Sequence, residues 1–69
     1  MKYVKIVSKN VEADWCIWKL NADWSNSRPY YNSIGFVKSC YDDNRFKSKN
    51  YDIFDYYEVT DEELFVILL

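Results

Sequence analysis

The chain has 69 residues, of which 49% are hydrophobic and 20% aromatic, and its formal net charge is -2. This length supports only one hydrophobic core, so we expect a single domain over residues 1–69. The sequence contains no histidine and one glycine, which removes the commonest acid-base catalyst and excludes a glycine-rich phosphate loop. We therefore expect a protein that is not an enzyme and that has no cofactor and no metal.

The first two predicted elements are strands. Residues 2–8 alternate between two faces and are rich in β-branched side chains, with Val4 and Ile6 on one face. Residues 14–22 fit two patterns: a helical stripe of Val11, Trp15, Trp18 and Ala22, or a strand with Cys16, Trp18, Leu20 and Ala22 on one face. We favour the strand.

Residues 23–33 predict a loop, because they are rich in Ser and Asn and because Pro29 disfavours helical backbone at Arg28. Large aromatic side chains and an arginine among small polar residues are typical of recognition surfaces. We therefore expect a partner-binding site with acidic support from a later strand, made of Trp24, Arg28, Tyr30, Tyr31, Asp52 and Asp55. The alternative is that the loop aromatics cover one open face of a thin sheet.

The second half of the chain predicts two more strands. Residues 34–41 predict a strand in which Gly35 marks a bulge or a close approach of another backbone. Residues 42–50 are polar and predict a connection between antiparallel strands. Residues 51–59 predict a strand with Asp55, Tyr57 and Val59 on one face.

The ending of the chain predicts a short helix. Thr60-Asp61-Glu62-Glu63 fits a capping box, which favours a C-terminal helix over a last strand. The connections are too short for crossover helices, so a parallel sheet is disfavoured. The elements together predict an α+β or mainly β fold, a small curled antiparallel sheet or open barrel of four to five strands.

The two cysteines and the apolar segments bear on location. Cys16 and Cys40 do not match a CxxC metal or redox site, so we expect two buried free thiols, with a disulfide as the alternative for an exported protein. Residues 1–6 lack the continuous apolar stretch of a secretory signal. The apolar run 64–69 is too short to span a bilayer. We expect a cytoplasmic protein that does not associate with a membrane.

The charge is unevenly distributed, which bears on the partner. Residues 51–69 hold six acids and no base, whereas all nine Lys and Arg lie in residues 1–50. A small barrel binding single-stranded nucleic acid is one alternative, through Lys38, Arg45, Phe46, Lys47, Lys49, Tyr41 and Tyr51. The pI of about 4.9 disfavours it. Another alternative is that this acidic chain mimics nucleic acid and occupies a basic surface of its partner.

The leading expectation is a protein-binding module. Such an aromatic-rich chain also exposes more apolar surface than one thin sheet covers, which suggests a homodimer. Phe, Tyr, Met, Ile, Asn and Lys together make up 30 of the 69 residues, a bias typical of AT-rich codons. In length, acidity and aromatic content the chain resembles small accessory proteins of AT-rich bacteriophages. This resemblance implies an inhibitor or modulator of a host protein.

Overall fold

The computed structural model describes residues 2–22, 26–38 and 50–69, which form a four-stranded antiparallel sheet and one short C-terminal helix. This is the predicted fold class. The elements are β1 (Lys2–Ser8), β2 (Trp15–Leu20), β3 (Arg28–Asn32), β4 (Phe54–Val59) and α1 (Asp61–Ile67). The strand order is β3-β2-β1-β4, so β3 and β4 lie at opposite edges of the sheet.

One side of the sheet, the core face, carries the larger cluster of buried side chains. Alternation along β1 directs Val4 and Ile6 to this side, as predicted. Their partners in the register on β2 and β4 lie on the same side. The cluster consists of Val4, Ile6, Cys16, Trp18 and Phe54, with Leu20, Phe36, Ile53 and Tyr56 packed against it. The strand interpretation of residues 14–22 is therefore confirmed for Trp15–Leu20.

The other side, the helix face, is covered in part by α1. Leu64 of α1 is buried against Ile17 and Val59, and Ile67 packs at the rim of the same cluster. The predicted Thr60 cap is present, since the Glu63 amide donates to Thr60 Oγ1 at 3.2 Å. The Glu63 carboxylate accepts from the Thr60 hydroxyl at 3.1 Å, where a capping box predicts a bond to the Thr60 amide. The cap and the buried Leu64 explain why residues 61–67 form a helix here.

Two predicted boundaries are wrong. Residues 28–32 form a strand rather than part of a loop, because pairing with β2 decides their conformation and Pro29 is tolerated in an edge strand. Residues 34–38 form a turn and irregular backbone rather than a strand. The predicted connection over residues 42–50 lies, except for Asn50, outside the described residues.

The turn at Ser33 to Gly35 lies directly against Ala13. The Ser33 hydroxyl donates to the Ala13 carbonyl at 2.8 Å and accepts from the Trp15 amide at 3.2 Å. A Cβ atom at Gly35 would lie 2.6 Å from the Ala13 oxygen. Of the two expectations for Gly35, the close approach of another backbone is confirmed.

Two buried groups stand beside this turn. The Asp14 side chain is 1% exposed, and its Oδ1 accepts from the Val37 amide at 2.7 Å. Cys16 is a buried free thiol whose pKa burial raises to about 12. The disulfide alternative is therefore wrong for Cys16, while Cys40 lies outside the described residues.

The strand β4 begins later than predicted. Residues 51–53 form a turn, and the strand runs from Phe54 to Val59 with the predicted alternation of faces. The Asn50 amide donates to the Tyr56 hydroxyl at 2.8 Å. No helix in the described part of the chain is long and apolar enough to cross a membrane.

Candidate functional site

The helix face has one half that α1 leaves uncovered, here called the open half. In the register of the sheet, Lys5 lies between Ile17 and Tyr57, and Val7 lies between Trp15 and Asp55. Helix α1 packs on the end of this face that carries Ile17 and Val59. The open half consists of Lys5, Val7, Trp15, Asp55 and Tyr57.

A β-bulge in β3 brings two tyrosines to this same side. Tyr31 lies opposite Ile17 and Pro29 lies opposite Trp18, so Tyr30 is an extra residue in the pairing. An extra residue interrupts the alternation of side chains along a strand. The ring of Tyr31 lies 5.9 Å from that of Trp15, and the ring of Tyr30 lies 5.1 Å from that of Tyr3. Both tyrosines therefore contact residues of the helix face.

Lys5 on β1 lies between the Trp15 ring and Tyr57 on the other edge strand. Lys5 Nζ lies 4.6 Å from the centre of the Trp15 ring, a cation-π distance. Tyr57 lies opposite Lys5 on the far edge strand. Tyr31, Trp15, Lys5 and Tyr57 thus form a line across all four strands, here called the aromatic row. Tyr31 is 44% and Tyr57 55% exposed, so both tyrosines are accessible from solvent.

A shallow groove of about 830 Å³ lies beside the aromatic row. It contains charges of both signs: Lys5 and Lys9 stand near Glu12 and Asp55 in its lining. Lys9 Nζ lies 3.8 Å from Asp55 Oδ1, and both side chains are more than 40% exposed. Such an exposed pair contributes little to stability, and its charged groups remain available to a partner.

Tyr3 and Tyr56 have raised pKa values, and neither lines the groove. Desolvation raises the pKa of Tyr3, with Tyr30 and Asp61 adding to the effect. Desolvation also raises the pKa of Tyr56, while the Asn50 amide acts in the opposite direction. Within the described ranges, no three His, Cys, Asp or Glu side chains are placed to hold a metal ion. The groove therefore presents rings, cations and carboxylates suited to non-covalent contacts.

The structure brings together only some of the predicted site residues. Arg28, Tyr30 and Tyr31 lie on β3, while Asp55 lies on β4. Three strand spacings separate these edges, about 14 Å at roughly 4.8 Å each. Asp52 is exposed in the turn over residues 51–53, and Trp24 lies outside the described residues.

Three members of the aromatic row were missed as site residues. Trp15, Lys5 and Tyr57 lie in segments that the sequence assigns to strands, and strand residues are usually read as core. The alternation of β1 gave the available signal, because Lys5 falls on the face opposite Val4 and Ile6. Only the three-dimensional structure shows that Trp15 contacts Tyr31 and that Lys5 lies opposite Tyr57.

Comparisons of the chain with protein-family models, with curated proteins and with solved structures found no match. The argument for function therefore comes from the chemistry of the aromatic row and its groove. Exposed rings supply contact area, and charges of both signs select the partner.

Proposed function

We propose that this chain is a non-enzymatic protein-binding module whose partner docks on the aromatic row. The carrying observation is the aromatic row itself, in which Tyr31 and Trp15 lie on one side of Lys5 and Tyr57 on the other, with Tyr31 and Tyr57 about half exposed. Tyrosine and tryptophan are the residues that most often dominate binding energy at protein interfaces. Their few torsions keep the entropic cost of binding low.

Contacts within the row support a preorganised surface. The Tyr31 ring is held beside Trp15, and Trp15 is in turn covered by Lys5 Nζ at 4.6 Å. Trp15 also sits on a strand paired on both sides. Side chains that are already ordered lose less freedom when a partner binds.

The charges favour a protein over a polyanion. Lys5 and Lys9 share the groove with Glu12 and Asp55, so the local charge is balanced. A nucleic-acid site is expected to be uniformly basic. A protein surface carries charges of both signs and can complement such a groove.

Single-stranded nucleic acid is the second candidate, and one observation favours it. Exposed rings and a lysine on an antiparallel sheet can stack bases and contact phosphates. Of the residues that the sequence suggested for this function, Lys38 and Tyr51 lie in the described part of the chain, and both are exposed. The Tyr51 ring packs against Tyr56 and is not part of the aromatic row.

The compositional resemblance to phage accessory proteins suggests the class of partner, a host protein that this chain inhibits or modulates. The test is capture from a bacterial lysate on immobilised protein, followed by mass spectrometry. We expect a captured protein that is lost with the Tyr31→Ser, Tyr57→Ser double variant. The matched control is Val11→Ser, since Val11 is 48% exposed and lies outside the row.

Two outcomes would contradict the proposal. Equal capture by the wild type and the double variant would show that the row is not the docking surface. A shift of a labelled single-stranded oligonucleotide by the wild type, abolished in the double variant, would support the nucleic-acid candidate instead. Measurement at low salt gives that candidate its best chance.

A further inference from the structure

We draw no further inference here: the strongest candidate, the exposed apolar side of the C-terminal helix α1 that carries Phe65 and Val66, is a surface for which nothing in the structure shows what covers it.

Discussion

The two faces of this sheet share the strands β1, β2 and β4 and differ in how completely they are covered. On the core face, Ile6, Cys16 and Phe54 are at most 2% exposed. On the helix face, Ile17 is equally buried, yet Tyr57 on the same face is 55% exposed. The boundary between covered and open surface lies within one face rather than between faces.

This difference separates stability from binding. The core face and the covered end of the helix face hold the fold, because their apolar side chains are removed from water. Within the open half, Tyr57 is 55% exposed and adds less to folding, whereas Trp15 packs against the cluster that α1 covers. The helix face is divided in this way because α1 is short and covers only one end of it.

The largest expected effect comes from comparing two aromatic residues of β4. Phe54→Ala removes a side chain that is 2% exposed and should lower the free energy of unfolding by about 3–5 kcal/mol. For a domain of this size that is most of its stability. Tyr57→Ala should change it by less than about 1 kcal/mol. Urea titrations followed by tryptophan fluorescence measure both, and equal losses would contradict the division of labour.

The contact between Gly35 and Ala13 provides the next test. Gly35→Ala places a Cβ atom 2.6 Å from the Ala13 oxygen, and the neighbour is backbone that cannot move easily. We expect a loss of about 1–3 kcal/mol. Ile34→Ala, at the adjacent exposed position, should be nearly neutral in the same urea titration. A Gly35→Ala variant as stable as the wild type would mean that this turn is loosely held.

The cap of α1 tests how firmly the helix covers its end of the face. Thr60→Ala removes the acceptor of the Glu63 amide and should cost about 1 kcal/mol. Thr60→Ser keeps the hydroxyl and should therefore keep most of the wild-type stability. Thermal unfolding by circular dichroism measures the change. Retention of full stability in Thr60→Ala would indicate that Leu64 alone holds the helix in place.

The buried thiol of Cys16 makes the stability of the fold depend on pH. The pKa of Cys16 is about 12 in the folded chain against an ordinary value of 9.0, so the protonated thiol favours the folded state. Its contribution is complete below about pH 9 and is lost as the pH rises toward 12. Between pH 8 and 10 we expect a loss of about 1 kcal/mol. Cys16→Ala should remove this part of the pH dependence of unfolding, and an unchanged slope would contradict it.

The elements that could be predicted from the sequence are those with a strong local signal. Alternation identified β1 and the faces of β2 and β4, and the capping box identified α1. Residues 28–32 were misassigned because their strand conformation comes from pairing with β2, which overrides the local preference of proline and asparagine for loops. Residues 34–38 were misassigned because the contacts that hold their turn, from Ser33 and Gly35 to Ala13, join residues about twenty positions apart in the sequence.

The candidate site was predictable only in part for a related reason. Tyr30 and Tyr31 were identified by composition, since aromatic residues stood among small polar ones. Trp15 and Lys5 joined them through sheet register and a bulge, which are properties of paired strands. A single strand read alone cannot show which residues of another strand will lie beside it.

The bulge in β3 also affects how this molecule can be joined to others along its hydrogen-bonding edge. The strand is an outer one, and all five of its residues are exposed. Pro29 offers no amide, and proline in a sheet sits where its nitrogen faces away from the ladder. The extra residue Tyr30 further breaks the regular spacing of donors and acceptors. An added strand therefore finds no continuous template here, so Pro29 and the extra residue Tyr30 discourage edge-to-edge pairing of this sheet with others.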